Sequence, residues 1–425
     1  MPRWLNWKWL GVVALALVAV MAFSACGGDD NEASKTPSTS GTGGASATGA
    51  SENWGSVTIK SGSSIVVGFT GPRSGDLIAL GTAGVDGAKV AIDDVGGKVK
   101  GFPITIKEAD DKCDAGSALS AAEILLADKA LVGVLGGVCS GVNVAAQPRY
   151  EEAHITQISG SSTATKVTNP EGRGPFATFL RTIVNDSVQG KRQAAFANQV
   201  IKAKSAYVAY DTDAYGTGLR DVFKTEFPKV GGTIAGDQGF EKGTTEFTSL
   251  STSITSAKPD MVYFAGFDPE AAALLRQLRA DGYKGAFLGG DGVQTAQFLT
   301  LAGADAEGAY LSKGAPIQES AVLTKFQSDF QTKAGYKWDD QPYTAEYHDA
   351  MLAILKAVDK VGVVSNGDLT IDLKKLNDAM HASDFDGVSG HIKFDDHGDL
   401  VAVPGRPQIL FSKVTNGAYA KETFE

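Results

Sequence analysis

Cysteine is scarce in this 425-residue chain: Cys26, Cys113 and Cys139 are all there is, and an odd count leaves at least one sulfur outside any internal pair. Histidine is thin as well, with five residues scattered and none at metal-ligand spacing. No GxSxG elbow, P-loop or HExxH occurs, so the sequence offers no catalytic constellation. Gly137-Val138-Cys139-Ser140-Gly141 has the look of an elbow, but its serine comes one place late. The expectation is a protein that is not an enzyme and takes no cofactor and no metal. Positive charge clusters nowhere beyond the N-terminus, and the net charge is −10. Nucleic acid is therefore excluded as a partner, because neutralising phosphates needs grouped Lys and Arg.

The apolar stretch from Leu10 to Phe23 falls short of the roughly 20 residues that span a membrane. It follows a short basic region, Arg3 and Lys8, and fits the apolar core of a secretory signal. Phe23-Ser24-Ala25-Cys26 closes it with small residues before a cysteine. This resembles a bacterial lipobox, which implies cleavage after residue 25 and a lipid on the Cys26 thiol. The alternative is an uncleaved anchor helix with an incidental cysteine. Removing residues 1–25 takes away Arg3 and Lys8 and no acid, so −10 becomes −12. From Gly27 to about Ser56 the chain is Ser, Thr, Gly and Ala with little to bury, a composition that stays flexible. Residues 26–63 are thus expected to be a tether between a membrane and a folded body.

Apolar residues make up 43% and charged residues 21%, enough for a sizeable core, and the length suits two domains. From Ser64 short apolar runs alternate with helix-period segments. Ile65–Phe69, Ile104–Ile106, Leu131–Leu135 and His154–Ile158 read as strands. Val85, Ala88 and Ile92, then Ala118, Ala122 and Leu125, fall at helical spacing, and a further helix starts near Val142. The pattern restarts after Thr182 with strands at Ala206–Tyr210 and Met261–Ala265, and with helical faces Phe247/Leu250/Ile254 and Ala272/Leu275/Leu278. Such repetition predicts an α/β fold of two doubly wound parallel-sheet lobes. Ligands of such sheets bind beyond the carboxyl ends of the strands, so two facing lobes make a cleft. Asp395-Asp396-His397-Gly398-Asp399 looks like a metal loop, but its flanks alternate like a hairpin, and it reads as a turn.

Six ordered motifs carry a resemblance to a known family. They are Thr70-Gly71-Pro72 with Ser74-Gly75, Ala109–Asp114, Gly137–Ser140, Asp211–Gly216, Phe264–Glu270 with Leu275-Arg276-Gln277, and Gly289–Gly292. In that order and spacing the chain from Ser64 onward resembles the type I periplasmic solute-binding proteins. Within them it is similar to the Leu/Ile/Val-binding branch that serves ATP-driven importers, in lipoprotein form. The resemblance implies a disulfide between Cys113 and Cys139, which export makes plausible; two free buried thiols are the other reading. It implies a ligand carboxylate held at Ser140 and Gly141, where a helix N-terminus favours an anion. Ser159, Gly160 and Ser161 correspond to a second ligand loop, and which hydroxyl in Ser159–Ser162 faces the ligand stays open. Asp291 stands where the family holds the ligand's ammonium, although Gly-Asp-Gly is also good turn chemistry. Tyr215 and Phe267 would close over the ligand from the second lobe. Phe267 replaces a frequent tyrosine and Leu80 another frequent aromatic.

The expected organisation is residues 64–184 with 316–390 in the first lobe and 185–315 with 391–425 in the second. Three crossings between them form a hinge that opens and closes. The partners implied are a small amino acid, branched-chain or otherwise apolar, and the permease and ATPase subunits of an importer. The chain would be a monomer anchored by lipid on the outer face of the cytoplasmic membrane. The alternative keeps the fold and changes the ligand to a short amide, urea or small aromatic acid, or makes the protein a solute sensor.

Overall fold

The computed structural model describes residues 53–172, 174–314, 320–405 and 407–424. The expected signal sequence, Cys26 and most of the expected tether lie outside the described residues, as does the expected boundary at 315/316. Two sheets organise the rest. The first has six strands in the spatial order Lys98–Val99, Phe102–Asp110, Ile65–Gly71, Leu131–Leu135, Gln157–Ser159, Phe179–Arg181. All its pairings are parallel except the first. The second has seven strands, in the order Ala418–Glu422, Ile409–Thr415, Tyr310–Gly314, Ala286–Gly289, Met261–Ala265, Ser205–Asp211, Thr233–Phe240. Its core pairings are parallel, and the two C-terminal strands add an antiparallel edge.

Strands Leu131–Leu135 and Met261–Ala265 are buried at every position. That is the signature of parallel strands covered by helices on both faces, and it is why they appear in the sequence as continuous apolar runs rather than alternating ones. In each lobe the first strand of the unit lies between two later strands: Ile65–Gly71 between Phe102–Asp110 and Leu131–Leu135, Ser205–Asp211 between Thr233–Phe240 and Met261–Ala265. These are the points where the winding reverses, and a crevice opens at the strand ends there.

Cys113 and Cys139 form a disulfide, with Cα atoms 5.3 Å apart and a sequence separation of 26. Both are buried. The bridge ties the end of one strand loop to the start of the helix Ser140–Glu152. In the chain-entropy picture it contributes roughly 3–4 kcal/mol.

Two segments depart from the sequence reading. The end of the expected tether is a strand: Ser56–Ile59 pairs antiparallel with Asp368–Asp372, Val57 opposite Ile371. Val57 and Ile59 alternate with exposed neighbours and bury their side chains, a two-residue apolar signal too short to stand out beside the polar run before it. The turn Asp395–Asp399, expected in the second lobe, packs against Phe179 and Arg181 of the six-stranded sheet. Gly398 O accepts from Arg181 N at 3.0 Å, and the Gly398 Cα packs so closely on the Phe179 carbonyl that a Cβ would lie 2.2 Å from it. The turn itself is a hairpin, closed by a bridge between Phe394 and Leu400.

Candidate functional site

Loops from both sheets converge at the crevice. From the first lobe come Val138, Cys139 and Ser140, at the start of the helix Ser140–Glu152, and the loop after strand Gln157–Ser159. Leu80 reaches in from the helix Ile78–Asp94. From the second lobe come Tyr215, in the first turn of the helix Ala214–Glu226, and Phe267, which precedes the helix Asp268–Ala280. Tyr343, just before the helix Thr344–Val361, completes the wall. Leu80, Val138, Cys139, Ser140, Ser161, Tyr215, Phe267 and Tyr343 enclose a small cavity with about 10 Å³ of space for a water-sized sphere. Its lining combines the apolar side chains of Leu80, Val138 and Phe267 with the hydroxyl-bearing residues Ser140, Ser161, Tyr215 and Tyr343.

Behind the two tyrosines lies Asp291, 2% exposed. Its carboxylate accepts hydrogen bonds from the Tyr215 hydroxyl (2.7 Å), Gln189 Nε2 (2.7 Å) and the Tyr343 hydroxyl (2.8 Å). All three donors are neutral. Burial raises the Asp291 pKa, and the three hydrogen bonds pull it back without cancelling that effect. Asp186, at the start of the helix Asp186–Phe196, is also buried, and burial together with the Asp291 charge pushes it up to about 8. A buried carboxylate without a cation is costly. This end of the crevice is therefore electrostatically set for a positive group.

The first turn of the helix Ser140–Glu152 forms another part of the same wall. Ser140 Oγ accepts from Ala164 N at 3.2 Å, which ties that helix to the neighbouring loop. Ser161 Oγ donates to Val138 O at 2.8 Å and lies 2.9 Å from the Tyr347 hydroxyl. Five of the nine predicted ligand residues thus line the cavity: Leu80, Ser140, Ser161, Tyr215 and Phe267. Asp291 sits one layer behind. Gly141, Ser159 and Gly160 do not line it. A Cβ on Gly141 would strike the Asp213 carboxylate at 2.1 Å, so this glycine is where the lobes touch. Ser159 Oγ bonds Gly137 O and accepts from Ser162 N, each at 3.0 Å, and so shapes its own loop. Gly160 packs against Tyr347, where a Cβ would lie 2.8 Å from the ring.

Tyr343 and Gln189 were not foreseen. Tyr343 follows Pro342 and adopts φ +75°, ψ −2°, a left-handed conformation that costs a bulky residue energy and tends to persist at functional sites. Nothing in apolar periodicity marks such a position.

The lobes meet around this cavity. Lys242, from the second lobe, donates to Cys113 O at 2.8 Å in the first lobe and to Asp213 Oδ2 at 2.7 Å in its own. Gln297 Nε2 reaches Asp76 O at 3.1 Å. Outside these contacts a wider cavity of about 570 Å³ opens between the lobes, with Asp76, Lys112 and Asp114 on one side and Asp213, Lys242 and Glu270 on the other. It is the larger space, and it has a buried carboxylate of its own, Glu270, 3% exposed, which accepts from Gly243 N at 2.6 Å. No group of His, Cys, Asp and Glu suited to a metal occurs among the described residues.

Residues 64–402 match the family model described as periplasmic binding protein. The chain belongs to that family. Among the relatives of this binding protein, an amino acid binding protein of Pseudomonas aeruginosa is 29% identical over 344 residues, covering 79% of this chain and 87% of the relative. A leucine-, isoleucine-, valine-, threonine- and alanine-binding protein of the same organism is 28% identical over 342 residues, with the same coverage. The crystal structure of a leucine-binding protein from Thermotoga maritima superposes with a TM-score of 0.75 at 25% identity, covering 84% of this chain and 98% of that one. The mixed α/β architecture with parallel cores is thus the fold of that family.

Proposed function

We propose that this chain is the extracytoplasmic solute receptor of an ATP-driven importer and binds a small apolar amino acid between its lobes. The observation that carries the reading is Asp291: a buried carboxylate at the crevice, held by three neutral donors and paired with no cation. An ammonium group would supply the missing charge through a charge-assisted hydrogen bond. The ligand carboxylate would meet the N-terminal turn at Ser140, some of whose backbone N–H groups have no partner within the helix. Leu80, Val138 and Phe267 would contact the side chain. The relatives named for leucine, isoleucine and valine support this choice. Binding draws the lobes together, the importer's permease reads the closed form, and ATP is hydrolysed by partner subunits.

The same proposal anchors the chain to the outer face of the cytoplasmic membrane through lipid on Cys26, with the cleaved N-terminus leading into the tether. Among the described residues no helix is long and apolar enough to cross a membrane. Radiolabelled palmitate incorporation, lost in Cys26→Ser, checks the anchor.

Calorimetric titration of the refolded protein with L-leucine, L-isoleucine and L-valine tests the ligand. Binding to at least one, abolished in Asp291→Ala, is expected. Binding of acetamide, urea or benzoate in place of all three would overturn the amino-acid assignment.

A further inference from the structure

The turn Asp395–Asp399 looks, in sequence, like surface punctuation, yet its last carboxylate, 18% exposed, turns inward to a buried arginine. Asp399 accepts from the Arg181 Nε–H, from the Thr168 hydroxyl at 3.1 Å and from Asn185 Nδ2 at 3.0 Å. Arg181 is fully buried. Its remaining nitrogens donate to Ser162 O at 2.9 Å, to Ala164 O at 3.0 Å and to the Thr168 hydroxyl. The guanidinium therefore grips the backbone on both sides of Thr163. That backbone is the crevice loop: Ser161 lines the cavity, Ala164 N bonds Ser140 Oγ, and Asn143 donates to Ser162 Oγ while also accepting from Gly137 N.

The same carboxylate joins segments far apart in the chain. Asn185 lies where the chain leaves the six-stranded sheet for the seven-stranded one, between Phe179–Arg181 and Ser205–Asp211. Asp399 lies on the segment that leads to the seven-stranded sheet for the last time, at Ile409. Two of the paths between the lobes are thus pinned to each other and to the crevice loop at one point.

We propose that Asp399 and Arg181 are positioning residues for ligand binding: the Asp399–Arg181 clamp sets the loop Ser159–Ala164 and couples it to the hinge, without touching ligand. The loop on its own is rich in Ser and Thr, whose side chains offer the backbone several competing local hydrogen bonds. A planar guanidinium accepting no bonds and donating two to alternate carbonyls selects one arrangement. Because that arrangement exists before ligand arrives, its ordering cost is not charged to binding. The consequence for affinity rests on the amino-acid reading above; the consequence for the loop does not.

The test uses Asp399→Asn, which keeps shape and removes charge, and Thr168→Val, which removes one hydroxyl between the pair and serves if the first variant folds poorly. Two readouts are taken on the whole protein: amide hydrogen exchange without ligand, and titration with L-leucine. Exchange at residues 160–164 should quicken at least tenfold while strand Met261–Ala265 is unchanged. The Kd for L-leucine should rise about tenfold, mostly through faster dissociation. Unchanged exchange in the loop overturns the proposal. So does a lowered melting temperature with local exchange and Kd both as in the parent, which is what a merely structural ion pair would give. If the parent ignores L-leucine, L-isoleucine and L-valine alike, the amino-acid reading fails, and the exchange measurement alone decides whether the clamp orders the loop.

Discussion

Asp349 and Asp291 are both buried aspartates, 0% and 2% exposed, and their surroundings differ in kind. Asp349 accepts from His348 Nδ1 at 2.8 Å, Val388 N at 2.9 Å, and Ser389 N and Oγ at 2.6 Å each. The far side of that histidine meets Asp94 at 2.9 Å, and Lys325 joins Asp94 at the surface at 2.5 Å. Burial alone would lower the His348 pKa, but hydrogen bonds and charges from Asp349 and Asp94 outweigh it and raise the group to about 9. The cluster brings its own cation, and it fastens the helix Ile78–Asp94, the helix Thr344–Val361 and the loop at Ser389. Asp291 has only phenols and an amide. One site includes a cation from the chain itself; the other has neutral donors alone. A buried carboxylate that a fold satisfies by itself is architecture, and one that it satisfies with neutral donors alone is the better candidate for contact with a cation.

The sharpest way to break this contrast is to neutralise each acid in turn. Asp291→Ala should weaken amino-acid binding about 100-fold or more, as expected when one partner of a buried charge pair is removed. The free protein should unfold at an unchanged or slightly higher urea concentration, because an uncompensated buried charge has gone. Asp349→Asn should do the reverse, costing about 3 kcal/mol in urea unfolding while leaving the ligand Kd within twofold.

The pH dependence separates the sites next. His348 holds its proton more tightly folded than unfolded, so its contribution is fully present below pH 6.5 and is lost as pH rises through about 9. It amounts to at most about 3 kcal/mol. Asp94 is held down to about 2, chiefly by its hydrogen bond with His348, so its share is present above 3.8 and lost as pH falls through about 2. Melting temperature followed from pH 6 to 10 should fall in the parent, and that alkaline loss should shrink in His348→Gln. Asp186, raised from 3.8 to about 8, loses its contribution as pH rises through that window, so it adds to the fall only up to about pH 8, and saturating ligand should reduce that part. The smallest effect concerns the lobe contact: Lys242→Met should speed ligand dissociation only about threefold, since this ion pair with Asp213 is partly exposed.

The parallel cores were plain in the sequence because strands such as Leu131–Leu135 are buried on both faces and so cannot carry polar residues. Loops that follow those strands gather at the crevice, but it was the resemblance of their motifs to the family, not periodicity, that picked out Ser140, Ser161, Tyr215 and Phe267. Tyr343 had no such guide: it precedes a helix in a left-handed turn. Ser159 and Gly160 share their neighbours' loop, but a serine hydroxyl can turn to its own backbone, as Ser159 does. The role of Asp399 was hidden for a different reason. Its partner Arg181 is 218 residues away, and a turn motif says nothing of what its last side chain reaches.

The most direct check compares L-leucine with 4-methylpentanoate, which keeps the side chain and carboxylate and lacks the ammonium. Titration of both into the parent and into Asp291→Ala should give a preference for leucine of about 100-fold in the parent and little or none in the variant. Equal affinities in the parent, or an undiminished preference in Asp291→Ala, would contradict the assignment of Asp291 as the cation-binding group.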